Sequence, residues 1–293
     1  MDEVLCVSPV GDICGEGLVW SEPQGALFWT DINRFLVHRH VPGSSATDTW
    51  QFDEPVVALG LTAEPDRLLV ALASRLVLWS TTTDDRREHG FVLRDTPRLR
   101  LNDGRVGPRG EFIVGSMKNN VEADGTPGTP SAGQGTLYSI HGSKVRELES
   151  GIGIPNTICW SPDKRVFYFA DTLKNEIRAY DYDPDTGEIA NPRPFFAGFE
   201  RGLPDGSAVD SDGFLWNCRY GGACLVRIAP NGVVDRVVEM PVDNPTTCAF
   251  GGTDQGNLFV TSAASTNHFQ RLSGSLFQMK APVRGLGEFN LAA

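Results

Sequence analysis

Gly153-Ile154-Pro155-Asn156-Thr157-Ile158-Cys159-Trp160-Ser161-Pro162-Asp163-Lys164-Arg165-Val166-Phe167-Tyr168-Phe169-Ala170-Asp171 holds two apolar runs on either side of a Ser-Pro-Asp-Lys turn. Polar residues stand at the ends of the runs, Asn156 before the first and Asp171 after the second. Short apolar runs bounded by turn residues read as strands, and two of them joined by a tight turn read as a hairpin. The pattern therefore predicts a hairpin with polar groups at its mouth. Degenerate copies of the phrase start at residues 17, 57, 102, 205 and 247. With 16, 57, 102, 156, 205 and 247 as register marks, the steps are 41, 45, 54, 49 and 42 residues. Steps of this length suit one four-stranded propeller blade, the longer ones leaving room for insertions.

A further β-prone run follows each hairpin, at residues 35–40, 76–79, 136–140, 177–182, 225–228 and 275–279, and edge strands fit 144–148 and 233–238. The expected fold is all-β: a six-bladed β-propeller in which residues 1–293 make a single domain. Val4-Leu5-Cys6-Val7 is the expected outer strand of the last blade, closing the ring. Radial repetition of this kind leaves only short, protected edges. Residues 81–90 read as a polar turn and 282–289 as a tail. The 17 residues 119–135 lack periodicity, and a loop that long is either functional, here a lid over the channel mouth, or a surface insertion.

The chain has 37 acidic and 26 basic residues and a formal net charge of -11, which opposes nucleic acid and anionic membrane surfaces as partners. Asp2 and Glu3 stand where a secretory signal carries positive charge, and no apolar run is long enough to span a bilayer, so a cytoplasmic location is expected. The six cysteines are sparse and mostly within predicted strands, which fits free thiols better than disulfides. A closed ring needs no partner for stability, and a monomer or weak homodimer is expected.

In a propeller the inner strands run beside the central channel, so residues at the blade entrances converge although they are far apart in sequence. Glu16, Asn102, Asn156 and Asp205 all occupy that position. Two carboxylates and an amide carbonyl facing one axial point suit a hard divalent cation. Glu16 and Asp205 held together in a partly dry channel repel unless a proton or a cation intervenes. Pro155 and Pro204 precede Asn156 and Asp205 and fix the backbone that presents them. Arg100, beside Asn102, can grip a carboxylate, a hydroxyl or an oxyanion. Other catalytic patterns are weak. Ser116 lacks the Gly-x-Ser-x-Gly context of a nucleophile elbow. Among His38, His40, His89, His141 and His268 only the first two have metal-like spacing, and they read as rim residues. Trp20, Trp29, Trp160 and Trp216 read as core between blades.

Gly15-Glu16-Gly17-Leu18-Val19-Trp20, Arg100-Leu101-Asn102-Asp103-Gly104, Gly153-Ile154-Pro155-Asn156, Leu203-Pro204-Asp205-Gly206 and Pro245-Thr246-Thr247-Cys248-Ala249-Phe250-Gly251-Gly252 occur in this order. With these motifs the chain resembles the SMP-30/gluconolactonase/regucalcin-like family of sugar lactonases over nearly its whole length. The resemblance implies Glu16, Asn156 and Asp205 as ligands of one divalent cation, Ca2+ or Zn2+ first and Mg2+ or Mn2+ also compatible. It implies Arg100 and Asn102 as substrate-binding residues. Asn120 stands where the animal members carry a substrate-contacting glutamate, as in the microbial sugar lactonases. The implied activity is metal-dependent hydrolysis of a small-molecule sugar lactone to the free aldonic acid, with Asp205 activating water; Asp103 and Asp171 are the other candidate bases. A metal-dependent esterase or phosphotriesterase-like hydrolase, or a non-catalytic calcium-binding propeller, are the alternative readings.

Overall fold

The structure, a computed structural model, describes residues 3–265 and 270–292. Six antiparallel sheets follow one another around an axis, and no α-helix occurs among the described residues. The innermost strands are Gly15–Ser21, Val56–Thr62, Leu99–Val106, Pro155–Trp160, Leu203–Val209 and Pro245–Gly251. Each begins a predicted hairpin. Inner and second strands are buried almost throughout, because each sheet packs between two neighbours, and this makes them read as continuous apolar runs. Leu5–Ser8 pairs antiparallel with Leu276–Lys280 as the outer strand of blade six, so the ring closes as expected.

Outer strands are more exposed and carry a weaker signal: Lys144–Ile152 and Val234–Glu239 lie where edge strands are expected, while others are not anticipated. Arg86–Val92 is one of them, not part of a polar turn: its backbone pairs with Arg75–Ser80, and its arginines bond to Asp84 and Asp85. His38 and His40 are buried instead of lining the rim, because Asp12 and Thr49 satisfy the His38 ring and the Ala46 carbonyl meets His40. His268 lies outside the described residues. Trp20, Trp29, Trp160 and Trp216 are core, with the indole N–H of Trp29 on Asp12 and that of Trp216 on Asp210. All six cysteines are free.

The inner strands share one irregularity. A bulge lies at the entrance residue or just after it in blades one, three, four, five and six, between Glu16 and Val19, Leu101 and Gly104, Asn156 and Cys159, Pro204 and Ser207, and Pro245 and Cys248. A bulge adds a residue to one strand and re-aims its side chains. In blade four it is held by Thr157 at φ 56°, a left-handed conformation that costs a β-branched residue strain. Thr157 is fully buried, and its hydroxyl bonds to the Asp205 carbonyl at 2.5 Å and Ser207 Oγ at 2.9 Å, which fixes the strained turn between blades four and five.

The C-terminal tail packs across the opposite end of the channel. Gly285 seats on Phe250 where any Cβ would collide, Phe289 meets Trp160 edge-on at 6.2 Å, and Asn290–Leu291 adds a parallel strand beside Val56–Thr62. Beneath the site Arg105 faces Glu288 of this tail at 3.6 Å. Truncating the half-buried Phe289 to Ala is expected to cost about 2 kcal/mol, below the range for a fully buried Phe, read as a lower denaturant midpoint at unchanged slope.

Candidate active site at the channel entrance

Glu16, Arg100, Asn102, Asn156 and Asp205 are all buried at the N-terminal ends of their strands, one end of one channel. Glu16 and Asp205 are both buried there and close enough to perturb each other's ionisation. Burial, first of all, pushes both carboxyls well above the usual range; the charges of Asp205 and Asp103 add to the effect at Glu16, and that of Asp103 at Asp205. Asp103, half-buried, is raised to about 6 by burial, opposed by Arg105 and by the backbone N–H groups of Gly104, Ile158 and Thr157.

Asn156 donates its amide N–H to Thr172 Oγ1 at 2.8 Å, while its Oδ1 is buried and has no hydrogen-bond partner among the described residues. A buried amide oxygen left bare is costly and calls for an explanation. A divalent cation held by Asn156 Oδ1 and the two carboxylates would satisfy that oxygen and neutralise the buried pair, so the donor set fits such an ion. No three His, Cys, Asp or Glu side chains cluster for a metal among the described residues, so the set stands as two carboxylates plus an amide. Cys14 lies close by, but burial and the charges of Glu16, Asp205 and Asp31 hold its thiol well above its ordinary pKa, and protonated.

The other three predicted residues form a unit. Arg100 donates Nε and Nη2 to Asn120 Oδ1 at 3.0 and 2.7 Å, and Nη1 to the Leu101 carbonyl and Asn102 Oδ1, both at 2.7 Å. Asn102 in turn donates to the Pro155 carbonyl at 2.9 Å. Four of the five guanidinium N–H groups are thus taken among the described residues, leaving one Nη2 hydrogen for a ligand. Burial lowers the Arg100 pKa to about 10, which still leaves it cationic at neutral pH. Asn102 and Asn120 therefore hold the arginine first.

The loop bearing Asn120 is docked: a Val121–Pro127 bridge makes a small hairpin, Val121 is buried, and Asn33 of blade one donates to the Gly125 carbonyl at 2.7 Å. Loop residues 119 and 121–123 wall a cavity of about 290 Å³ beside blade two. Of the alternative groups, Ser116 is fully buried and bonded to Thr136. Asp171 accepts the amides of Gly153 and Ile154 at 3.0 and 3.2 Å, as Asp31 does for Ile13 and Cys14 at 3.0 and 3.1 Å. Both are strand-end caps, which leaves Asp103 as the other carboxylate near the pair.

A six-bladed propeller with oxygen donors converging on its axis defines a class, and the residues place the chain within it. The chain belongs to the SMP-30/gluconolactonase/LRE-like family, whose model matches residues 14–264. It is 37% identical over 256 residues to L-arabinolactonase of Azospirillum brasilense, covering 85% of this chain and 80% of that protein. Pentonolactonase XacC of Haloferax volcanii is 31% identical over 286 residues, covering 94% and 93%. Among solved structures, the calcium-binding protein regucalcin from Agrobacterium tumefaciens superposes with a TM-score of 0.90 at 28% identity, over 98% of this chain and 97% of that one.

Proposed function

We propose that the chain hydrolyses a sugar-acid lactone to the free aldonic acid with a divalent cation held by Glu16, Asn156 Oδ1 and Asp205. The observation that carries this reading is the bare, buried Asn156 Oδ1 at the same channel end as the buried carboxyls of Glu16 and Asp205. The lactonase names of two relatives support the substrate class, and the calcium-binding neighbour supports a cation. An all-oxygen donor set favours hard ions, calcium first, over zinc, which usually takes nitrogen or sulfur ligands.

The bound cation supplies Lewis acidity toward the lactone and neutralises the paired carboxylates. Asp205, one of the residues that would hold the cation, takes a proton from the water that attacks the carbonyl carbon. Arg100, clamped by Asn102 and Asn120, offers its remaining N–H to the oxygen on which negative charge develops. When the ring C–O bond breaks, Asp205 returns the proton to the departing ring oxygen, which leaves as a hydroxyl. The acyl carbon is left as a carboxylic acid, which gives its proton to solvent at neutral pH and leaves as the carboxylate.

Proton release from a panel of aldonolactones by calcium-loaded protein, corrected for spontaneous opening, tests the activity. Turnover on one or more pentono- or hexonolactones is expected. No turnover on any of them by folded, calcium-loaded protein would move the site to a carboxyl or phosphoryl ester, or to cation binding alone. Arg100→Lys is expected to lower kcat/KM about 100-fold, because an ammonium cannot reproduce the fork that meets Asn102 and Asn120 together. Steady-state kinetics across the panel checks this.

A further inference from the structure

The carbonyl that precedes each of the three axial ligands is gripped by a side chain of the blade before it. Thr246 of blade six donates to the Gly15 carbonyl at 2.5 Å, Asn102 of blade three to that of Pro155 at 2.9 Å, and Thr172 of blade four to that of Pro204 at 2.8 Å. Thr172 differs from the other two, because its hydroxyl also bonds to Asn156.

A hydroxyl has one proton, and the Pro204 carbonyl can only accept. The Thr172 proton is therefore committed to Pro204, and its oxygen can only receive a hydrogen bond. Asn156 must turn its NH2 toward Thr172, which forces Oδ1 to the other side, where it lies bare. The two ends of an amide are chemically unlike, and their assignment follows from such networks. A carboxylate has no such problem, since its two oxygens are equivalent. At the matching position of blade one, following the strand-end Asp31 that pairs with Gly15, stands the apolar Ile32, and the ligand there is Glu16. In blade four the strand-end Asp171 pairs with Pro155, and Thr172 follows it. The Thr172 backbone N–H is itself bonded to the Ile154 carbonyl at 3.0 Å, which ties the hydroxyl to the chain that carries Asn156.

We infer that Thr172 is a positioning residue: it orients the Asn156 amide so that oxygen, not nitrogen, meets a hard cation, and couples that ligand to the backbone presenting Asp205. This rests on the cation reading above. Loss of the hydroxyl frees the amide to flip and leaves the Pro204 carbonyl without its donor. Partners of this kind, one bond removed from the ion, typically change metal affinity 10- to 100-fold.

The test is calorimetric titration of calcium into chelated protein. Thr172→Val is expected to weaken calcium binding about 10- to 100-fold, and Thr172→Ser, which keeps the hydroxyl, to stay within about threefold of wild type. In an Asn156→Asp background, with no amide left to orient, the penalty of Thr172→Val should shrink to the part that the Pro204 contact contributes. A loss of packing alone would persist in full in that background and would not be rescued by Ser. Wild-type affinity in Thr172→Val overturns the role of Thr172 and leaves the cation site standing, whereas no calcium binding by the wild type overturns the cation reading itself. Should Thr172→Val fail to fold, Thr172→Ala takes its place with the same two outcomes.

Discussion

Asp205→Asn is expected to lower kcat about 1,000-fold while the protein stays folded, a loss within the range for a positioned general base. Asn retains an oxygen for the cation and removes only the group that can take up a proton. The fold tolerates the change for local reasons. The Asp205 carbonyl is held by Thr157 Oγ1 at 2.5 Å and Asn217 Nδ2 at 3.1 Å, independently of its side chain. The new amide keeps the size of the carboxyl and can donate to a neighbouring carboxylate. Calcium titration alongside the kinetics separates the two roles: binding within about tenfold of wild type with turnover nearly abolished assigns proton transfer to Asp205. Near-normal kcat would remove it as base and turn attention to Asp103, the neighbouring carboxyl raised to about 6.

Removing the cation is the second large effect, and it is expected to appear in stability as well as in turnover. In the metal-free protein Glu16, Asp205 and Asp103 all have folded-state pKa values above those of an unfolded chain. Groups raised in this way contribute stability that is fully present below the unfolded carboxyl values near 4 and is lost as pH rises through the folded values. For Asp103 the window closes at about 6, and the raised pair acts in the same direction. Metal-free protein should therefore melt at lower temperature at pH 8 than at pH 5. A cation binds the ionised pair, so the increase in melting temperature produced by calcium should grow over the same interval. At a free concentration of about 1,000 Kd the linkage amounts to about 4 kcal/mol, enough to move the transition by several degrees. Thermal melts with chelator or calcium at the two pH values measure it; a calcium effect independent of pH would contradict the placement of the ion on these carboxylates.

Much of this architecture can be read in the chain itself because two strands of every blade are buried on both faces. Val166–Asp171 and Ala26–Asp31 are apolar runs ending on a carboxylate, and their spacing carries the ring. The outer strands are only partly legible: Leu5–Ser8, Lys144–Ile152 and Val234–Glu239 stand where edge strands were expected, whereas Arg86–Val92 and Ile189–Ala197 face water and owe their conformation to backbone pairing. The same limit applies to the tail, whose contacts with Phe250, Trp160 and Leu61 are all remote in sequence. Within the site the strand-entrance residues were visible as a repeated position and Arg100 as the neighbour of Asn102, whereas Asn120 came only from the family resemblance and its bond to Arg100 only from the fold. Thr157, Thr172 and Thr246 were not visible, because a single hydroxyl reaching the next blade has no local pattern. The recurring aspartate before Thr172 was visible, although its work is to cap the amides of Gly153 and Ile154 and not to move protons.

The central claim is that one cation on Glu16, Asn156 and Asp205 makes the site active. The most direct measurement is lactone turnover by chelated protein as calcium is returned in known molar ratio. Turnover should be nearly absent at the start and rise linearly to a plateau at about one equivalent when the protein concentration is well above Kd. Full turnover by protein shown to be free of metal would contradict it.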